Sequence, residues 1–240
     1  MAINVRPGIV TNGLVLALDA ANPRSYPKSG TTWRDLSGNN NSGSLVNGPT
    51  FNSLNAGSIT FDGTNDYILT ATGSQMPLNF TIDFWVRPGA TQVQYADIWG
   101  NHGQKTTPPT SSWGVVMQQD FNNTNIFGWG WGYGVPKDFS SSPYFYLPPN
   151  VWRNVTSIKN GVNGSTYTNG ALINTFVASF SSIGLSPSNF MIGNGQYEDG
   201  TGLGTRYFNG SIACFRLYNR ALSAQEVQQN YIATKARFGL

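Results

Sequence analysis

Residues 80–87 have the sequence Phe80-Thr81-Ile82-Asp83-Phe84-Trp85-Val86-Arg87. Apolar side chains occupy every even position, and all but one of the odd positions carry polar or charged side chains. A period of two residues is that of a β-strand, because successive side chains point to opposite faces. The stretch therefore predicts a half-buried strand whose even-numbered side chains face a core, with Asp83, Trp85 and Arg87 on the opposite face.

The rest of the chain contains many more short strand-like segments, which are separated by turn residues. These segments are 14–19, 58–61, 67–70, 115–117, 126–133, 152–159, 165–168, 171–177, 190–192 and 211–218. Dipeptides such as Asn160-Gly161 and Asn169-Gly170 are typical of hairpin turns between strands. A long series of short strands predicts an all-β protein and favours a sandwich of two antiparallel sheets.

One helix is predicted, near the C-terminus. Ser223 is a suitable N-cap, and Glu226 three residues later completes the pattern of a capping box. Leu222 before the cap and Val227 in the first turn of the helix are placed to form a hydrophobic staple. We expect one short C-terminal helix beside the sheets.

The composition limits the classes of partner. Hydrophobic residues make up 39% of the chain and charged residues only 10%, against about 25% charged in ordinary globular domains. The 14 basic and 11 acidic residues are scattered, so we expect no nucleic-acid partner. No apolar run approaches the roughly 20 residues of a membrane span, and the first residues lack the apolar region of a signal peptide. These features predict synthesis in a cytosol without membrane insertion.

Four segments, taken in order, carry a family resemblance. They are Phe61–Ile68, Thr81–Pro88, the hairpin pieces Trp152–Val155 and Tyr167–Gly170, and Phe208–Ser223. Together they resemble laminin-G-like domains of the concanavalin A-like lectin/glucanase superfamily. The resemblance implies a concanavalin A-like jelly roll over residues 14–240, preceded by an N-terminal arm at residues 1–13.

The beginning of the chain carries a second resemblance. Residues 8–22, Tyr26-Pro27 and 32–39 are similar to the start of such domains in structural proteins of tailed bacteriophages. This resemblance implies a non-enzymatic virion protein, such as a capsid-decoration protein, a head fibre or a tail adhesin. Its partners would be other virion proteins and copies of itself as a homo-oligomer. The alternative is a carbohydrate-binding lectin module of a bacterial or other surface protein, whose partners are cell-surface glycans.

The carboxylates do not form the pattern of a glycosidase. Some relatives of the fold hydrolyse glycans with a strand of sequence Glu-x-Asp-x-x-Glu, because two carboxylates must face one sugar. This chain has Glu198 and Glu226 as its only glutamates, and Glu226 is explained by the capping box. One histidine, His102, and one cysteine, Cys214, are too few for an ordinary zinc site. We expect no catalytic residues.

Calcium is the one cofactor that the resemblance leaves open. Laminin-G-like domains often bind Ca²⁺ through loop oxygens, and Asp62, Asn65 and Asp66 are clustered in one turn. The alternative is that Asp62-Gly63 forms the turn and that Asp66 stabilises it by accepting backbone hydrogen bonds.

The aromatic strand Phe127–Gly134 is the candidate ligand site. Its side chains alternate with glycine, so Trp129, Trp131 and Tyr133 share one face. Exposed rings would form a platform for glycans, since the C–H faces of sugars are apolar. The alternative is that these rings fill the core between the sheets.

The N-terminal arm is the candidate partner site. Val5, Ile9 and Val10 are too apolar for a freely solvated tail. Docking on a neighbouring subunit is one interpretation of this segment, and a disordered tail is the other.

Overall fold

The computed structural model describes residues 7–73, 76–104, 114–119, 125–133, 138–184, 189–198, 202–203 and 205–240. In chain order, its strands are β1 (Leu14–Asp19), β2 (Thr32–Trp33), β3 (Gly43–Val46), β4 (Thr50–Asn52), β5 (Ser58–Asp62), β6 (Tyr67–Thr70), β7 (Phe80–Pro88), β8 (Asp97–Gly100), β9 (His102–Gln104), β10 (Val115–Gln119), β11 (Ile126–Tyr133), β12 (Asp138–Ser141), β13 (Phe145–Tyr146), β14 (Arg153–Asn160), β15 (Asn163–Thr168), β16 (Ala171–Val177), β17 (Met191–Ile192), β18 (Gln196–Glu198), β19 (Gly202–Leu203) and β20 (Asn209–Tyr218). The α-helix of the described residues is α1 (Ala224–Thr234), and short 3₁₀ turns lie at Leu54–Ala56 and Lys235–Phe238.

Two large sheets form the sandwich that the sequence predicts. The first sheet has the order β16-β15-β14-β7-β20-β5-β4, with β1 also paired to β20. The second sheet has the order β12-β11-β10-β8-β17-β6-β3-β2, with β13 also paired to β11. The strand pairs of both large sheets are antiparallel. A small third sheet joins β19, β18 and β9.

Strand β7 shows how the alternating sequence builds the core. Phe80, Ile82, Phe84 and Val86 are fully buried and belong to the main apolar cluster between the two sheets. Aromatic rings from both sheets fill this cluster, and Phe84 packs against Phe215 of β20 with 5.6 Å between the ring centroids. The prediction of a two-sheet sandwich with this face of β7 inward is confirmed.

Helix α1 covers part of the outer face of the first sheet. The Ser223 hydroxyl accepts a hydrogen bond from the Glu226 N–H, and the Glu226 carboxylate accepts one from the Ser223 N–H, so the predicted capping box is present. The Trp85 indole N–H donates to the Thr234 hydroxyl at 2.8 Å, and its ring stacks on Tyr231. This helix is too short and too polar to cross a membrane, and the same holds for every helix in the described part of the chain.

The described part of the N-terminal arm packs on its own domain. Val10 is 7% exposed and lies in an apolar cluster with Tyr218 and Val227. Its N–H donates to Asn230 Oδ1 at 2.9 Å, and its carbonyl accepts from the Tyr218 hydroxyl at 3.0 Å. The apolar side chain of Val10 is thus already buried within its own chain, which does not support its docking on a neighbouring subunit. Ile9 is half-buried, and Val5 lies outside the described residues.

The buried position of Val10 gives a stability prediction. Val10→Ala removes two buried methyl groups and should lower the free energy of unfolding by about 1–2 kcal/mol. Val177→Ala is the matched control, because the same change is made to a side chain that is 74% exposed; it should stay within about 0.5 kcal/mol of wild type. Urea titration of both variants measures the difference. Equal stabilities for the two variants would show that the arm does not pack as described.

Candidate functional site

The aromatic strand β11 does not present a platform to solvent. Trp129 and Trp131 are both fully buried in the core between the sheets. The Trp129 indole N–H donates to the Thr166 hydroxyl at 2.8 Å, and that of Trp131 donates to the Phe180 carbonyl at 3.2 Å. The glycan-platform interpretation is wrong for these two residues, because the apolar face of β11 is turned towards the other sheet. The side chain of Tyr133 lies outside the described residues.

The Asp62 turn is held by hydrogen bonds from its own backbone. Asp62 Oδ1 accepts from the N–H groups of Thr64 and Asn65 at 2.8 and 3.3 Å, and Asp66 Oδ2 accepts from the Asp62 N–H at 3.1 Å. Burial tends to raise the pKa of Asp62, but these backbone donors outweigh it and lower the pKa. Burial raises the pKa of Asp66, which makes its carboxylate a poorer cation ligand. These contacts favour the structural interpretation of the turn over the calcium interpretation, and no candidate metal cluster of three or more acidic, His or Cys side chains occurs among the described residues.

The histidine forms a buried pair that the sequence did not predict. His102 Nε2 lies 3.0 Å from Asp97 Oδ2, and the two side chains are 1% and 0% exposed. Burial raises the pKa of Asp97, although His102 opposes that shift. A substrate in solution cannot reach a pair at this depth, so its role in the described geometry is structural.

A groove on the outer face of the first sheet brings together the chemistry of a binding site. It has a volume of about 150 Å³ and is lined by Asn52, Leu54, Asn55, Ser58, Arg87, Trp152 and Ser211. We call it the Trp152 groove. It lies beside the part of the sheet that helix α1 covers, on the face opposite to the core. Four of its seven lining residues are Asn or Ser, one is Arg and one is Trp, so an aromatic ring is surrounded by polar groups.

Trp152 immediately precedes β14 and is half-buried. Its indole N–H donates to Asn55 Oδ1 at 3.0 Å. Its ring packs against Phe238, with 5.0 Å between the centroids. The two contacts fix the plane of the indole while part of the side chain stays open to solvent. This is the arrangement of a preorganised aromatic wall.

The turn that accepts the hydrogen bond of Trp152 is strained. Asn55, Ala56 and Gly57 have φ angles of 53°, 64° and 132°, and a positive φ is unusual for a residue such as Ala56. A Cβ at Gly57 would lie 2.6 Å from the Ala20 carbonyl oxygen, so only glycine fits there. Arg237 stabilises the turn with two hydrogen bonds. Its Nε donates to the Asn55 carbonyl at 2.6 Å, and its Nη2 donates to the Gly57 carbonyl. Backbone strain of this kind is often found at binding sites.

Arg87 supplies the charge of the groove. It follows Trp85 on the outward face of β7, and its Nε donates to the Asn150 carbonyl at 3.0 Å. On the neighbouring strand β20, Ser211 is the residue paired with Arg87. The Ser211 hydroxyl in turn shares a hydrogen bond of 3.0 Å with the Thr60 hydroxyl. The groove therefore combines a planar cation, hydroxyls, amides and an aromatic ring, which can stack on the apolar face of a sugar and hydrogen-bond its hydroxyls.

A comparison with protein-family models identifies the family. Residues 62–228 match the laminin-G family model that is described as concanavalin A-like lectin/glucanases superfamily. The chain belongs to this superfamily. The family predicted from the four motifs is thereby confirmed, as is the fold class of a concanavalin A-like sandwich with a C-terminal helix. No curated protein sequence matches the chain significantly.

Solved structures with the same lectin/glucanase fold include receptor-binding parts of clostridial toxins. The binding domain of Paraclostridial Mosquitocidal Protein 1 superposes with a TM-score of 0.67 at 19% identity, over 92% of this chain and 52% of that one. The receptor-binding domain of botulinum neurotoxin type G gives 0.65 at 19% identity, over 92% and 51%. A botulinum neurotoxin type C structure gives 0.68 at 16% identity, over 92% and 51%. This chain spans about half the length of these structures, and at such identities the likeness shows the fold alone.

The Trp152 groove was not predicted from the sequence as a site. Its lining residues come from four distant parts of the chain, namely residues 52–58, Arg87, Trp152 and Ser211. The sequence places Arg87 on the outward face of a strand and Trp152 in a family motif, but it does not bring the two together. The signal that could have pointed to them is local. Arg87 and Trp85 occupy the outward face of an otherwise regular strand, and a surface-facing arginine beside aromatic residues is a common feature of binding surfaces.

Proposed function

We propose that this domain is a non-enzymatic carbohydrate-binding module and that the Trp152 groove is its binding site. The observation that carries the proposal is the fixed, half-buried indole of Trp152 facing amide, hydroxyl and guanidinium groups in one groove. Sugar rings need both an apolar surface for their C–H faces and polar partners for their hydroxyls, and this groove offers both. The groove lining contains no carboxylate, which a hydrolase would need at the scissile bond.

The names of the similar structures support a binding role. They are described as binding or receptor-binding domains. For botulinum neurotoxin type C, cell entry is described as dependent on interaction with two ganglioside molecules. The binding domain of botulinum neurotoxin DC is described in complex with SialylT. These ligands belong to those toxins, whose chains are about twice as long as the part that matches here. They make glycans the first class of ligand to test on this domain.

Truncation of Trp152 tests the proposal. The wild-type domain should bind at least one glycan of a printed array saturably, and Trp152→Ala should weaken that binding tenfold or more, or about 1.4 kcal/mol. The reason is that the variant keeps the polar groups of the groove but loses its stacking surface. Isothermal titration calorimetry with the glycan found on the array measures the loss, and thermal melting checks that the variant is folded.

Tyr146→Ala is the control for Trp152→Ala. Tyr146 is an aromatic residue that is 58% exposed, and it lies on the second sheet in β13. Its truncation should leave the affinity unchanged. A folded Trp152→Ala variant that binds the glycan like wild type would show that the groove is not the binding site.

A virion protein is the second candidate context for such a module. It is supported by the resemblance of residues 8–39 to the start of tailed-phage structural proteins. A capsid-decoration protein, head fibre or tail adhesin could use the same groove to hold cell-surface glycans. Mass spectrometry of purified particles tests this context, and absence of the chain from all particles of the source would remove it.

A further inference from the structure

The guanidinium of Arg87 has hydrogen-bonding capacity that the protein does not use. Its Nε donates to the Asn150 carbonyl, and no other hydrogen bond of this side chain occurs within the described residues. The ion pairs of the described residues involve Arg216, Arg220, Arg237 and His102, and none involves Arg87. The residues that line the groove include no Asp or Glu. Both Nη groups of a half-buried cation are therefore available to a ligand.

The single bond that Arg87 makes also fixes its orientation. Because Nε is held by a backbone carbonyl, the plane of the guanidinium is restrained, and the Nη edge remains as a pair of parallel donors. Two parallel N–H donors match the two oxygens of a carboxylate and bind it in a bidentate manner. A neutral hydroxyl uses only one of these donors and gains less from the positive charge.

The size of the groove limits how much of a glycan it can hold. The groove has a volume of about 150 Å³. This is the scale of one terminal sugar residue rather than of an extended oligosaccharide chain. The aromatic wall of Trp152 and the cation of Arg87 line the same groove, so one sugar residue can contact both.

We propose that the Trp152 groove selects glycans whose terminal residue carries a carboxylate, and that Arg87 is the residue that recognises this group. The inference rests on the proposed carbohydrate-binding function and names its ligand class. Two kinds of sugar share this chemistry, namely sialic acids and uronic acids. Both are ionised at neutral pH, and both present a carboxylate beside a ring with apolar C–H faces.

The experiment compares three ligands on the wild-type domain by calorimetry. Sialyllactose and a glucuronic-acid-terminated oligosaccharide represent the two acidic sources, and lactose represents the neutral parent. Binding of either acid at least tenfold more tightly than lactose is the expected result, and the tighter of the two identifies the source. The methyl ester of the tighter ligand removes the charge without changing the protein, and it should lose at least tenfold in affinity.

Variants of Arg87 then test whether this residue recognises the carboxylate. Arg87→Gln should lose tenfold or more in affinity for the acidic glycan. Arg87→Lys keeps the positive charge but lacks the pair of parallel N–H donors, so its affinity should lie between those of Arg87→Gln and wild type. Arg24→Gln is the charge-matched control, since Arg24 is exposed and does not line the groove; it should bind like wild type. Thermal melting verifies that each variant is folded.

The outcomes separate this inference from the proposed function. If the domain binds a neutral glycan as tightly as an acidic one, and only Trp152→Ala abolishes that binding, the acid selectivity is overturned and the carbohydrate-binding function stands. If an Asp-rich peptide binds as tightly as the acidic glycan, the selectivity for sugars is overturned. If no glycan binds at all, the proposed function fails together with the inference.

Discussion

Trp129→Ala should lower the free energy of unfolding by about 3–5 kcal/mol, the cost of replacing a fully buried large aromatic residue by alanine. Trp129 has no exposed surface and contacts Phe80, Trp131 and Phe176, with 6.0, 5.8 and 5.3 Å between ring centroids. Its loss leaves a cavity between the sheets and removes the indole that donates to the Thr166 hydroxyl. Urea denaturation followed by far-ultraviolet circular dichroism measures the change.

Trp152→Ala is the matched comparison for Trp129→Ala. The same truncation at a half-buried residue of the outer face should cost much less stability and should instead reduce glycan binding. The two tryptophans thus separate a core role from a ligand-binding role. A stable Trp129→Ala variant that has lost glycan binding would reverse the assignment, and it would restore the platform interpretation of β11.

Asp83→Ala should destabilise the domain by about 3–5 kcal/mol, because it leaves the buried charge of Arg216 without its partner. Asp83 is fully buried and accepts hydrogen bonds from Arg216 Nη1 at 2.8 Å, Asn154 Nδ2 at 2.7 Å and Thr156 Oγ1 at 3.2 Å. The change removes the common acceptor of three donors as well as the counter-ion. Chemical denaturation of the purified variant measures the loss.

The double variant Asp83→Leu/Arg216→Met is the control for Asp83→Ala. It removes both charges and replaces them with apolar side chains, so it should recover most of the stability that the single variant loses. If the double variant is as unstable as Asp83→Ala, the unpaired charge is not the cause of the loss. In that case the loss of stability comes from the missing hydrogen bonds of Asn154 and Thr156.

The sequence was sufficient to predict the class of fold, because its signals are local. The alternation in β7 and the capping box at Ser223 each involve residues within one element, and the structure has both. The order of the four motifs predicted the family, and the family predicted how the strands are arranged in two sheets. Alternation could not show that Asp83 on the outward face would be buried, since that depends on coverage of this face by Arg216 and the C-terminal segment.

Alternation was also insufficient for the aromatic strand and for the groove. It predicts that Trp129 and Trp131 share a face, but which face is the core depends on the position of β11 in the second sheet. The groove is assembled by contacts between distant parts of the chain. Trp152 and Asn55 are 97 positions apart, and Asn55 and Arg237 are 182 positions apart. A periodic pattern in a single sequence cannot reveal contacts between residues so far apart.

The indole N–H signals of the tryptophans offer the most direct test of the proposed binding site. The chain has seven tryptophans, of which Trp33, Trp85, Trp99, Trp129 and Trp131 are fully buried. In ¹H–¹⁵N spectra, Trp152→Phe assigns the signal of Trp152. Titration with the bound glycan should shift this signal saturably while the signals of the five buried tryptophans stay in place. Saturable binding that leaves the Trp152 signal unmoved would contradict the assignment of the Trp152 groove as the carbohydrate site.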